Sequence, residues 1–366
     1  MLPSLARLPA NVSTLQLTDL PPEIHALIAK IVGGNDPCNK LRRLCEAHKD
    51  LCGEEVFQTA CSYFRYSTQT IRDAFLATRP AGIREAAAAN PWYVCFRELC
   101  ARPRLTDSVL NNAVYVACDN NMMHPTYGHI SYWDVSRVTD MRGAFSNISR
   151  GFNENITLWD VSHVKTMQFM FYDLVRFNNA GQPLDWDVSR VRDMSFMFND
   201  AVSFNQPLKW NVLGVKTMRG MFSGAREFNQ PLDWDVSRVK DMTAMFKKAY
   251  AFNNADRPLK WNVSRVKDMS SMFEEARAFN QPLDWDVSSV RSMSAMFHEA
   301  RSFNQPLDWD VSKVRHMYYM FNKATAFKQP VDLLFSKGPP NWPATDMFKM
   351  FTGSAQAPLP WWSIRQ

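Results

Sequence analysis

The sequence predicts an α/β solenoid: a stack of short parallel strands and short helices, preceded by a small all-α domain. Three observations carry that expectation. Trp recurs at positions 133, 159, 186, 210, 234, 261, 285 and 309, at spacings of 26, 27, 24, 24, 27, 24 and 24 residues. A constant pattern accompanies it, as in FNQPLDWDVSRVKDMTAMFKKA, with Val two and five residues after every one of these Trp. Inside that pattern a two-residue periodicity gives way to one of three or four. Self-similarity at such a period is the mark of stacked supersecondary units.

Residues 1–125 stand outside the repeat and are expected to form the helical domain. Ile24, Leu27, Ile28 and Ile31 fall on one face of a helix entered through Leu20-Pro21-Pro22. Leu41, Leu44, Cys45 and His48 suggest a second helix, and Val56, Phe57, Ala60 and Phe64 a third. The order LTDLPPEIHALIAKIV followed by LRRLCEAHKDLC, at about residues 17–57, resembles an F-box. The matching positions are Leu20, Pro21, Glu23, Ile24, Ile28, Ile31, Leu41 and Leu44, while Lys49-Asp50-Leu51 stands where that motif often has Trp. The resemblance implies docking onto a Skp-type adaptor of a cullin–RING ubiquitin ligase.

Residues 126–353 are expected to form the solenoid, in about nine repeats. In PLDWDVS, Leu232, Trp234 and Val236 alternate with Asp233 and Asp235, which reads as a half-buried strand. Val239, Met242, Met245, Phe246 and Ala249 then follow at helical spacing, which reads as a helix of about two turns. The residue before the first Met (Asp140, Thr166, Asp193, Thr217, Asp241, Asp268, Ser292 and His316) is Asp, Thr or Ser in all copies but the last, where an N-cap belongs. Phe228, Asn229 and Pro231 turn the chain toward the next strand. One such unit cannot bury its apolar face alone, so neighbours must cover it. Seventeen of the 20 Met belong to the array, where Met fills gaps in a core rather than lining a ligand site.

Two repeats are three residues longer, at Asn178–Gln182 and Asn253–Arg257, and these insertions are expected as loops on one side that help mark a contact surface. At the far end VDLLF replaces LDWDV, KGPPNWP interrupts, and MFKMF closes the array. Residues 354–366, with Trp361 and Trp362, form the expected C-terminal cap or tail.

The pattern FNQPLDWDVSxVxxMxxMFxxA closely resembles the repeats of BspA-type surface proteins and mycoplasma lipoproteins, over about residues 131–353. That resemblance implies a leucine-rich-repeat-like stack used for binding other macromolecules. Its combination with an F-box-like start is similar to proteins encoded by large eukaryotic DNA viruses.

Outward positions of the strand carry the information about function. The column before Trp reads Tyr132, Leu158, Asp185, Lys209, Asp233, Lys260, Asp284 and Asp308; it is the expected partner-binding face. The column after Trp reads Asp134, Asp160, Asp187, Asn211, Asp235, Asn262, Asp286 and Asp310. A basic column follows the second Val: Lys165, Arg192, Lys216, Lys240, Lys267, Arg291 and Arg315. Three readings of these ladders stand side by side. The favoured one has Asp or Asn capping the next turn, with Lys and Arg offsetting stacked carboxylates. A calcium ladder would want Gly-rich loops, which are missing. Recognition of a protein partner is strongest where the columns deviate from the consensus.

Composition narrows the classes. The chain has 366 residues, net charge +6 and a pI near 8.9. Residues 1–130 hold 13 Lys+Arg against 12 Asp+Glu, and the remainder 29 against 24, so a dedicated nucleic-acid domain is not expected. All seven Cys precede residue 119 without a CxxC pair, which fits a reducing compartment. Cys45, His48 and Cys52 share a helix face, but a zinc site needs Cys38 or Cys61 as well; small buried apolar residues are the favoured reading. No Walker loop, GxGxxG, HExxH or GxSxG occurs, so no enzyme, catalytic residue, metal or cofactor is expected. The start lacks a signal-peptide pattern and no apolar run is long enough to span a bilayer. The expected function is a cytoplasmic protein–protein interaction adaptor: the stack captures a partner while the F-box-like segment docks a ubiquitin-ligase adaptor. The alternative is a structural, surface or virion interaction protein without that link.

Overall fold

A computed structural model describes residues 104–146, 148–330 and 349–355. The F-box-like residues, the Cys45–His48–Cys52 cluster, the VDLLF segment and residues 356–366 lie outside them. The chain divides after residue 103 into two compact bodies, the second running from Arg104 to Gln366.

That second body opens with helix α1 (Asp107–Asp119), which buries Leu110, Ala113, Val114 and Ala117 on one face. A two-residue antiparallel hairpin, β1 (Met123–His124) with β2 (Gly128–His129), leads into the first repeat. Among the described residues eight repeats then stack coil on coil, and the Met350 and Thr352 carbonyls of a ninth accept from Phe321 and Lys323. Single parallel bridges join the eight along one line: Asp140, Thr166, Asp193, Thr217, Asp241, Asp268, Ser292 and His316.

The local elements differ from those the periodicity suggests. In PLDWDVS the alternation holds, with Leu232, Trp234 and Val236 buried and Asp233 and Asp235 exposed. The bridge, however, falls six residues further on, at the position expected to cap a helix. Across the PLDWDVS runs the coils are tied instead by side chains: the Trp234 indole N–H donates to the Leu208 carbonyl at 3.0 Å, and Trp210, Trp261, Trp285 and Trp309 repeat the bond.

The expected two-turn helix is a run of β-turns. Met245, Lys247 and Ala249 donate within their own coil, to Met242, Ala244 and Phe246. The alternate N–H groups of Met242, Ala244, Phe246 and Lys248 donate to Asp268, Ser270, Met272 and Glu274 of the next coil. Left-handed residues make the alternation possible, Ala244 at φ 55° and Lys248 at φ 58°. The physical reason is space. An α-helix needs about 10 Å between neighbours, whereas Phe222 and Phe246 of adjacent coils stack at 5.7 Å between ring centres on that side. Trp210 and Trp234 stack at 6.3 Å near the other. Turns satisfy half their N–H groups locally and half across the stack, so they fit where a helix does not.

The core consists of columns. Phe204, Phe228, Phe252, Phe279, Phe303 and Phe327 stack in an unbroken line at 6.0 Å. The paired valines, the methionines and a second Phe column are buried beside it. Burying such a side chain is worth about 1.5–3 kcal/mol, and each coil buries its set only because another coil covers it.

Candidate recognition surface

The column after Trp has a structural task. In every coil the side-chain oxygen of its Asp or Asn accepts the backbone N–H two residues on, as Asp235 does from Ser237 at 3.0 Å and Asn211 from Leu213 at 3.2 Å. The Ser237 hydroxyl and N–H hold the Asp235 carboxyl below its usual range, and Ser288 does the same for Asp286. This is the turn-capping reading, and Asn serves it as well as Asp. Among the described residues no group of three His, Cys, Asp or Glu is placed to hold a metal ion.

Asparagines form a second ladder that the repeat pattern alone shows only as a turn. Asn178, Asn205, Asn229, Asn253, Asn280 and Asn304 each offer a side-chain oxygen to the backbone N–H at the same position one coil later. The two insertions add a third device rather than free loops. Asn179 and Asn254 are fully buried. Each accepts from the preceding coil, Asn179 from the Ile156 N–H and Asn254 from the Leu232 N–H, both at 2.9 Å. Each also donates forward, to the carbonyls of Gln182 and Arg257 at 2.8 Å. At these two places the Trp column lacks the ring contact that joins Trp186 to Trp210, and Trp261 to Trp285. Exposed residues remain at their tips, among them Asp256 and Arg257.

The column before Trp is where partner binding is expected. Asp185, Lys209, Asp233, Lys260, Asp284 and Asp308 are exposed and Leu158 is half-buried. Tyr132 closes the 3-10 turn Ile130–Tyr132 at the start of the array. Arg257 of the second insertion stands 3.9 Å from Asp233, so that insertion borders this column.

The basic column is tighter than its spacing in sequence implies. Each backbone N–H from Lys165 to Arg315 donates to the same column one coil earlier, at 2.8–2.9 Å, so these residues are adjacent rungs. All seven side chains are exposed. Two residues earlier stands another basic column, Arg137, Arg190, Arg238, Arg265 and Lys313, also exposed where the sequence shows no more than scattered charge. It is interrupted at His163, Gly214 and Ser289, so its members lie one or two repeats apart along the chain. Partial desolvation, and then the neighbouring Arg238, Lys240, Arg192 and Arg265, hold the Lys216 ammonium below its ordinary range.

Both ends of the stack need capping, and α1 supplies the first. In later coils the N–H after the second Val donates to the preceding coil, as Lys165 does to Thr139. The first coil has no predecessor there. The Asp107 carboxylate takes that role, accepting from the Thr139 N–H at 2.6 Å, the Thr139 hydroxyl at 2.8 Å and the Asp140 N–H at 3.1 Å. Burial raises the Asp107 carboxyl's pKa, but these bonds outweigh it and leave it below the usual range.

With this repeat geometry in hand, the comparison with known families is decisive: the family described as "Mycoplasma protein of unknown function, DUF285" matches residues 121–183, 179–259 and 255–359. The chain belongs to this family. The DUF285 matches run across all eight Trp positions and both insertions. No curated protein and no solved structure matches the chain significantly. The family thus agrees with the BspA-type resemblance of the repeat; the F-box-like segment lies outside its matched residues.

Proposed function

We propose that this DUF285 chain is a non-enzymatic protein–protein interaction adaptor. In this reading the repeat stack, of the solenoid class, captures a partner on the outward column before Trp. The F-box-like segment around Leu20–Leu44 docks a Skp-type ubiquitin-ligase adaptor in the cytoplasm. The observation that carries the capture role is the column itself. Asp185, Lys209, Lys260 and Asp284 are exposed, and none of the four takes part in an ion pair among the described residues. The neighbouring column after Trp is wholly engaged in turns. Charges of alternating sign along a rigid line select a complementary surface and reject others. The docking role is supported by the sequence match at Leu20, Pro21, Glu23 and Ile24.

Pull-down of the tagged full-length chain from a eukaryotic lysate tests both roles. Enrichment of a Skp-type adaptor, abolished by Leu20→Asp with Ile24→Asp, is the result expected for docking. Adaptor at background level removes the ubiquitin-ligase link and favours a structural or virion role. A specific partner lost on Lys209→Glu with Lys260→Glu is the result expected for capture.

A further inference from the structure

The two basic columns form one strip, and the geometry points to an extended acidic protein segment as its occupant. This deepens the adaptor reading by naming the chemistry of a captured partner, on a strip separate from the column before Trp.

The strip is long and narrow. Arg192, Lys216, Lys240, Lys267, Arg291 and Arg315 are successive rungs joined by their own backbone hydrogen bonds. At four of these six rungs Arg190, Arg238, Arg265 and Lys313 widen it to two residues, while Gly214 and Ser289 stand at the other two. None of these ten makes an ion pair with another described residue. Arg192 alone is tethered, donating to the Ser189 and Val191 carbonyls. Elsewhere on the stack the charges do pair across coils, as Lys247 does with Glu274 and Lys323 with Glu299. Stacking like charges about 4.8 Å apart costs free energy in the isolated protein. A bound anion removes that cost.

The strip's surroundings select among anions. The Asp column after Trp borders it at Asp187, Asp235, Asp286 and Asp310. Arg238 lies close enough to Asp235, and Lys313 to Asp286, to act on those carboxyls. That acidic border repels a broad polyanion such as a duplex or a bilayer, and admits a single extended chain. Single-stranded nucleic acid needs aromatic platforms for its bases. The exposed large apolar residues among those described are Tyr115, Tyr172, Leu213 and Tyr318, and no aromatic residue occupies either basic column. An extended peptide needs none, because Arg and Lys engage its carboxylates directly. The six steps from Lys165 to Arg315 span about 29 Å, the length of roughly nine extended residues.

The test uses the full-length chain and a fluorescent polyglutamate peptide of roughly ten residues, followed by anisotropy. The expected result is saturable binding that weakens at least about tenfold between about 50 and 200 mM salt. It also weakens at least about tenfold in the variant Lys240→Glu/Lys267→Glu/Arg291→Glu. Arg176→Glu/Lys328→Glu, two exposed residues outside both the strip and the column before Trp, leaves it unchanged. Near-ultraviolet circular dichroism of the Trp column verifies that each variant is folded, and Lys→Gln and Arg→Gln changes at the same strip positions replace any that is not. Absence of binding, or binding indifferent to the strip variants, overturns the proposal while leaving capture by the column before Trp standing. Tighter binding of an oligothymidylate of equal charge overturns it in favour of nucleic acid.

Discussion

The column immediately after each Trp and the basic column five residues beyond it share one period and one face of the stack, yet their side chains do different work. Asp235 and its equivalents accept a backbone N–H in every coil. Lys240 and its equivalents, Arg192 apart, contribute backbone to the ladder while their ammonium and guanidinium groups point to solvent. Regular recurrence therefore does not separate scaffold from recognition surface. Whether the side chain is used in a hydrogen bond does.

The contrast between engaged and unengaged columns is open to direct attack. The reference point is the interior, where Phe246 touches Phe222, Phe252 and Phe273. Phe246→Ala is expected to cost about 3–5 kcal/mol in urea unfolding. Next comes the buried plug. Asn254→Ala strands the Leu232 N–H and the Arg257 carbonyl, and is expected to cost about 2–3 kcal/mol. A cost near zero there would mean that the insertion is a surface loop after all. At the N-terminal end, Asp107→Ala is expected to cost about 1–2 kcal/mol and to speed hydrogen exchange at Thr139 and Asp140 before the rest of the stack.

The same group sets a pH dependence. Because its folded pKa is depressed, its stabilisation is fully present above the unfolded value of about 4 and is lost as pH falls through the folded value. Exchange at Thr139 should therefore rise selectively below about pH 4 in the parent and show no such step in Asp107→Ala. The smallest effects decide the opening contrast. Asp235→Ala is expected to cost about 0.5–1 kcal/mol through its lost turn bond. Lys240→Ala is expected to change stability by no more than about 0.5 kcal/mol. Equal costs for the two would erase the distinction.

Much of this was legible in the residues. Leu232, Trp234, Val236, Val239, Met242, Met245, Phe246 and Ala249 all read as buried and all are. Asp and Asn after Trp read as turn caps, and they are. The misread parts have one source. Spacings of three and four fit a helix and a run of β-turns equally; the left-handed positions carry Gly143, Gly220, Gly224, Asp173 and Asp200 in some copies, but Ala244, Lys248, Ser271 and Glu275 in others, where identity signals nothing. Asn179 and Asn254 looked like loop residues because a buried amide needs partners that lie on another coil, 22 or 23 residues away. Arg238 and Arg265 stand a whole repeat apart along the chain, and only stacking of the coils makes them one column.

The sequence by itself determined the register: which positions face inward, where one repeat ends, and that a single repeat cannot stand alone. Burial has a local signature, since apolar side chains recur with the geometry of their own backbone segment. Only the tertiary structure decided how the coils are tied, by turns that donate alternately inward and across instead of by helices. The reason is the spacing of the coils, which is a property of the stack and leaves no room for a helix. The same spacing turned a diffuse surplus of Lys and Arg into a continuous basic strip. Distance along the chain dilutes charge, and stacking concentrates it.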